Sequence, residues 1–390
     1  MRAAPGPTPA ETRLVAEPRA WAAAAARLRA APRLALDIEA DGFHRYPERL
    51  SLVQAALPDG AIYIVDPLAL PDLGALGDIL ADPSVEKVMH SADYDIRSLD
   101  RDHGFRIAGL FDTAIAAALC SSRRLGLGNV LEEHLGITLD KPKRLQRLDW
   151  SIRPLTAEAL DYAAGDVAHL VALADDLKAK LERLGRMGWA AEECRRLEGV
   201  RFGPPEPPEE AFLAVRGARK LSGQARAVLR ELVVFREAEA RRIGRPPHRI
   251  LSADALIALA VHPTGGLDAL PNSRRGLSGG ARRRLESALR RGREAPPVAW
   301  PRRGENPWTP EARERLSALK RWRTEEAERL DLDPGVVWPA THLERVALEP
   351  GVPSADQNAG TPPAVRAWQW QALGEALARF RREVLADPVG

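Results

Sequence analysis

The chain has 390 residues, 45% of them hydrophobic, and carries 57 Lys and Arg against 54 Asp and Glu, for a net charge of +3 and a pI near 9.0. That length accommodates two or three domains with substantial cores, and a nearly balanced charge means that any polyanion binding must come from local clusters. Two widely separated cysteines, Cys120 and Cys194, exclude a disulfide framework or a cysteine metal cluster and point to a reducing cytoplasm; no uninterrupted apolar run is long enough to span a bilayer.

In chain order, Met1 to Glu17 is rich in Pro and Ala and lacks the basic start and long apolar stretch of a signal peptide, so it reads as a flexible tail, residues 1–11 wholly so. Ala22 to Ala26 belongs to a short helix. Leu34-Ala35-Leu36-Asp37-Ile38-Glu39 reads as a strand; because side chains alternate, Asp37 and Glu39 project from one face and Leu36 and Ile38 from the other. Leu50 to Ala56 and Ala61 to Val65 flank Pro58-Asp59-Gly60, the signature of two antiparallel strands that extend the Asp37 strand into a sheet. Val85 to Met89 supplies another strand, which runs into a helix whose start is marked by Ser91 or Asp93 and which carries Asp95. Helices are expected over Ala114 to Leu119, Val130 to Leu135 and Ala157 to Leu184. In the last, helical spacing sets Tyr162 and Asp166 one turn apart on a common face, while Leu160, Val167, Leu170 and Val171 bury the helix.

Asp37, Glu39, Asp95 and Asp166 make a set of four carboxylates suited to two metal ions. Two divalent cations about 3.5–4 Å apart can activate a water and stabilise developing negative charge. Hard oxygen donors suit magnesium, and without metal the clustered carboxylates repel and raise one another's pKa. A lone Asp-x-Glu is also compatible with a solvated strand edge, and Asp93 competes with Asp95 as third acid; as a short acid at a helix start, Asp93 is better placed to accept backbone N–H groups. Asp112 reads as a helix cap, Tyr162 as either a packing residue or a site residue. His90 reads as hydrogen-bonded scaffold, or as a contact to nucleic acid beside the acids, and the eight histidines show no paired spacing for zinc.

Together, Asp37-Ile38-Glu39, the His90-to-Leu99 block ending on Asp95, Phe111-Asp112-Thr113, Asp149-Trp150 with Arg153-Pro154-Leu155, and Tyr162 to Asp166 resemble ribonuclease D, in family order over about 170 residues. That family belongs to the DEDD superfamily of 3′-5′ exonucleases, in the subclass whose last motif is Tyr-x-x-x-Asp. The resemblance implies a ribonuclease-H-like fold with a mixed sheet, and two Mg2+ or Mn2+ ions. It further implies that Asp37 bridges the ions, Glu39 and Asp166 hold the one that activates water, Asp95 supports the other, and Tyr162 orients the water. The loop Leu139 to Trp150 follows the family pattern but is about two residues longer, within the tolerance of surface loops; its Lys141, Lys143, Arg144 and Arg147 either approach phosphates near the 3′ end or form an ordinary basic loop.

Past Val200, Gly203-Pro204-Pro205-Glu206-Pro207-Pro208 cannot continue a helix and reads as a semi-rigid linker. Beyond it, the sequence aligns with itself at a shift of 87 residues: Leu229, Leu232, Phe235, Arg236, Ala240, Pro247, Ile250, Leu256, Leu259 and Pro263 match Leu316, Leu319, Trp322, Arg323, Ala327, Pro334, Val337, Leu343, Val346 and Pro350. These copies resemble the small all-α HRDC domains shared by RecQ-family helicases and ribonuclease D. Gly351 to Pro363 reads as a loop inserted before a last helix from about Ala364 to Leu385. The expected division is therefore 1–203 for the exonuclease domain, 204–215 for the linker, 216–296 and 310–388 for two HRDC-like domains, and 297–309 between them. Arginines crowd the region from Arg274 to Arg303; Arg282, Arg283 and Arg284 are the candidates for backbone contact, with Trp300 and Trp308 as core or anchors rather than stacking residues.

The function expected from this reading is a metal-dependent 3′-5′ exoribonuclease that releases nucleoside 5′-monophosphates from RNA 3′ ends. Transfer RNA precursors are the expected substrates and no obligate protein partner or membrane is called for. A DNA 3′-5′ exonuclease acting on single strands and a non-catalytic nucleic-acid-binding scaffold stay open as alternatives. A helicase does not, because no Gly-x-x-x-x-Gly-Lys-Ser/Thr loop is present.

Overall fold

The structure, a computed structural model, describes residues 12–139, 142–265, 277–301, 306–349 and 365–385. Six strands, β1 (Thr12–Val15), β2 (Arg33–Ala40), β3 (Leu50–Ala56), β4 (Ile62–Val65), β5 (Glu86–Met89) and β6 (Leu110–Asp112), form one sheet in the order β1-β4-β3-β2-β5-β6. The pairs β4–β3 and β3–β2 are antiparallel, and β1–β4, β2–β5 and β5–β6 are parallel, so the sheet is mixed as expected. The tight turn at Gly60, whose φ of +90° suits glycine, joins β3 to β4.

Helices cover both faces, and the alternation in β2 decides which. Leu34, Leu36 and Ile38 join the cluster with Trp21, Leu76, Ile96 and Leu99. Ala35, on the same parity as Asp37 and Glu39, joins the opposite cluster with Leu52, Ile64, Val88, Ala163 and Val167. The two acids therefore continue the face against which the Ala157–Val167 helix packs. Two expectations change. Thr12–Val15 is an edge strand rather than tail, while residues 1–11 lie outside the described set; and the apolar stretch from Ala157 to Leu184 is two helices, Ala157–Val167 and Leu170–Arg183.

The C-terminal part is helical. Gly223–Ile243, Pro247–Ile250, Ala253–Val261 and Gly279–Glu294 are followed by Pro310–Leu330, Pro334–Val337, Ala340–Leu348 and Ala367–Phe380, so helix starts recur at offsets of 87, 87, 87 and 88 residues. The residues aligned in sequence fill equivalent places: Leu229, Leu232, Phe235 and Leu256 in one core, Leu319, Trp322 and Leu343 in the other. Trp300 and Trp308 pack against these cores, as expected. Phe212, expected in the linker, is buried in the first of them. The inserted loop at Gly351 to Pro363 lies outside the described residues.

Both helical units touch the sheet domain. Trp368, in the first turn of the Ala367–Phe380 helix, stacks on Trp189 with ring centroids 4.4 Å apart, and Arg366 pairs with Glu193 at 3.0 Å. The first unit meets the loop between β2 and β3, where the Tyr46 N–H donates to the Gly244 carbonyl at 3.2 Å and the Tyr46 hydroxyl donates to Glu237. Among the described residues no helix is long and apolar enough to cross a membrane.

Candidate active site

The site forms where β2, the helix after β5 and the Ala157–Val167 helix converge. In β2, Asp37 lies opposite Gln54 and Glu39 opposite Leu52, and the register slips between Glu39 and Ala40, where the strand leaves the ladder. Both acids are half-buried.

Asp95 arrives from the Asp93–His103 helix, which also packs on β2 and β3. That helix does not start as expected. Its N-cap is Ala92, Asp93 is its first residue and is occupied by Arg97 at 2.8 Å, and Ser91 sits at a φ of +59°. The capping acid is Asp112. Its carboxylate accepts the N–H groups of Ser91 (3.1 Å) and Ala92 (2.8 Å), and those of Ala114 (2.8 Å) and Ile115 (3.1 Å) at the start of the next helix. One buried acid thus fixes two helix starts and with them the position of Asp95, in keeping with the structural role expected of Asp112.

Thr156 caps the Ala157–Val167 helix through its hydroxyl, which accepts the Ala159 N–H at 3.2 Å, and the helix carries Tyr162 and Asp166 one turn apart. The Trp150 ring lies 6.0 Å from that of Tyr162. The segment bearing Trp150 is tied to the sheet by Arg153, which donates to both oxygens of buried Asp66 at 2.6 and 2.8 Å, to the Ser51 carbonyl at 2.9 Å and to that of Trp150 at 2.6 Å.

Electrostatics show that these groups share one field. Burial pushes the Asp95 carboxyl well above the usual range, and the charges of Asp37, Asp112 and Glu39 push it further. The Tyr162 phenol is likewise raised, by burial first and then by Asp166, Glu39 and Asp37. It therefore stays protonated at neutral pH. Among the described residues no three His, Cys, Asp or Glu side chains already stand in ligand geometry. The donor chemistry nevertheless suits hard divalent cations, since every side chain offers oxygen and the like charges destabilise one another until a cation joins them.

The other sequence candidates divide. His90 has both ring nitrogens engaged, Nδ1 with the Thr113 hydroxyl and Nε2 with the Leu125 carbonyl, each at 2.8 Å, which ties it into the scaffold. Arg144 is paired with Glu158, and Arg284 with the buried Glu239 at 2.6 Å. Lys143, Arg147 and Arg283 are exposed, Arg282 is half-buried, and Lys141 lies outside the described residues. Gln54 escaped the sequence reading. It is fully buried across from Asp37, and neither polar atom of its amide has a hydrogen-bond partner among the described residues. Its only signal in the sequence was a polar residue in an otherwise apolar strand.

Residues 13–182 match a family model described as a 3′-5′ exonuclease. Ribonuclease D of Gluconacetobacter diazotrophicus is 33% identical over 360 residues, covering 90% of this chain and 88% of its own. That of Pseudomonas paraeruginosa is 32% identical over 358 residues, covering 90% and 92%. Among solved structures, Escherichia coli RNase D, described as an exoribonuclease involved in structured RNA processing, superposes with a TM-score of 0.71 at 27% identity, covering 96% of this chain and 99% of that one.

Proposed function

The chain belongs to the ribonuclease D family and is a 3′-5′ exoribonuclease with a ribonuclease-H-like domain and a helical C-terminal part; on that premise we propose that Asp37, Glu39, Asp95 and Asp166 hold two divalent cations, Mg2+ or Mn2+, and that Tyr162 positions the attacking water. The observation that supports the proposal is that the Asp93–His103 and Ala157–Val167 helices both pack on β2 and so bring Asp95 and Asp166 to the strand of Asp37 and Glu39. When bound, the cations would activate water and stabilise charge on the leaving 3′ oxygen.

The residues of the chain do the rest. Asp37 and Glu39, held at a fixed pitch by the strand, define one wall, and Asp95 stands on a helix start locked by Asp112. Tyr162 keeps its hydroxyl proton and so offers a donor and an acceptor for orienting water. The buried Trp150 beside it limits the rotamers that the phenol ring explores. The products would be nucleoside 5′-monophosphates.

The structured-RNA role of the Escherichia coli neighbour supports transfer RNA precursors or other stable RNAs as substrates. The recurrence of four helices at offsets of 87 or 88 residues supports reading the C-terminal part as two HRDC-like units, which would extend the binding surface and restrict which 3′ ends reach the acids. The free, buried Cys120 and Cys194 fit a reducing cytoplasm.

The test is a time course on end-labelled single-stranded RNA and matched DNA, with magnesium or manganese and then with chelator. RNA laddering from the 3′ end that needs the cation and disappears in Asp37→Ala, while RNA binding persists, is the expected result. Equal activity in the variant would overturn the site, and faster DNA laddering would move the substrate.

A further inference from the structure

We infer that Phe43, on the loop that leaves the catalytic strand, forms with His248 and Arg249 of the first helical unit and with Arg147 a stacking clamp for a base of the single-stranded RNA just upstream of the scissile bond. The inference rests on the exoribonuclease reading and adds to it a determinant of how the strand is held.

Phe43 follows Glu39 by four residues, so its Cα lies within about 14 Å of the Glu39 Cα even on a fully extended chain. Phe43 is 49% exposed. Two segments remote in sequence converge on it. The His248 ring centroid is 6.4 Å away and tilted, and the guanidiniums of Arg249 and Arg147 lie over the ring at 5.2 and 6.0 Å. Such cation–π distances hold an arginine near an aromatic face at small cost, ready to exchange the ring for a phosphate.

The neighbouring arginines are occupied. Arg45 pairs with Asp149 at 3.1 Å, Arg144 with Glu158, and Arg241 with Glu237 at 3.0 Å. Among the described residues neither Arg147 nor Arg249 has a carboxylate partner. A half-exposed ring flanked by two such cations, on the loop that leaves the strand of Asp37 and Glu39, matches what a single strand requires: a π-face for a base and positive charge for its backbone.

The joint has supports besides Phe43. Tyr46, three residues on, carries the docking through its bonds to Gly244 and Glu237 and the Arg241 guanidinium 5.3 Å from its ring, and the His44 ring meets the Arg147 carbonyl at 2.7 Å. Phe43 is therefore available to the ligand rather than spent on the joint.

The test uses the full chain and 5′-labelled single-stranded oligoribonucleotides, intact or with one abasic nucleotide moved stepwise from the 3′ end. Phe43→Ala should raise KM, and Kd measured in chelator, by about five- to a hundredfold, as loss of one base-stacking aromatic does, and Phe43→Trp should restore both. In the wild type one abasic position should cost affinity, and Phe43→Ala should no longer feel it. Arg147→Gln and Arg249→Gln should each lower the slope of log affinity against log salt by about one. Unchanged KM and Kd in Phe43→Ala, or undiminished abasic sensitivity in that variant, would overturn the inference. Failure of the wild type to shorten RNA would instead count against the exoribonuclease reading, since binding in chelator does not depend on turnover.

Discussion

Replacing Arg153 by Met should be among the most damaging single changes outside the acids. Its guanidinium donates to both oxygens of Asp66, which is 2% exposed, and to the backbone carbonyls of Ser51, Trp150 and Ile152. Methionine keeps the stem but leaves a buried carboxylate without its cation. Breaking a buried pair from one side costs about 3–5 kcal/mol, most of it the penalty of the orphaned charge. Adding Asp66→Asn removes that charge, so the double variant should recover a large part of the loss. Urea unfolding followed by circular dichroism at neutral pH would read both, with the coupling taken from the full cycle. Activity should fall as well, because the Trp150 segment that Arg153 anchors backs the Tyr162 ring. A single-variant loss under about 1 kcal/mol, typical of an exposed pair, or a double variant that simply sums the two singles, would refute the reasoning.

Tyr162→Phe should retain fold and cation binding yet lower kcat by about a hundredfold, since only the water-orienting hydroxyl is lost; parallel kcat and calorimetric measurements check this. Burial pushes the His342 imidazole down to about 4, and its Nδ1 accepts the Trp338 indole N–H at 3.0 Å, with Arg345 and Arg381 adding repulsion. Because the folded value is lowered, the unfolded chain takes the proton first: stability is full above the ordinary value of 6.5 and is lost as pH falls towards 4, by up to about 3 kcal/mol. His342→Gln, an acceptor that does not titrate, should flatten that acid limb in urea midpoints. Gly292→Ala would set a Cβ 2.5 Å from the Val228 Cα where the Gly223–Ile243 and Gly279–Glu294 helices touch. The overpacking, about 1–3 kcal/mol, should outweigh the gain of about 1 kcal/mol in helix propensity, so the melting temperature should drop.

Much of the molecule was legible from local pattern. Alternation over Leu34 to Glu39 set the two acids on one face, because a strand repeats every two residues whatever surrounds it. The spacing of Tyr162 and Asp166 needed only a helix, and the shift of 87 residues exposed the helical duplication because equivalent core positions demand apolar side chains in both copies. What local pattern could not decide was which remote groups meet. Ser91 and Asp93 were each suitable caps by residue type, yet Asp112, about 20 residues on, took the role once β6 lay beside β5 and brought its carboxylate to the helix start. Thr12–Val15 is too short and too polar to announce a strand and became one only because β4 offered it an edge. Charge in the sequence marked Arg284 and Arg144 as equals of Arg147, and tertiary pairing separated them by giving the first two a carboxylate each. The cluster on Phe43 joins segments more than 100 and 200 residues apart. Such contacts belong to how domains pack, and packing is a property of surfaces brought together by the whole fold rather than of any window along the chain.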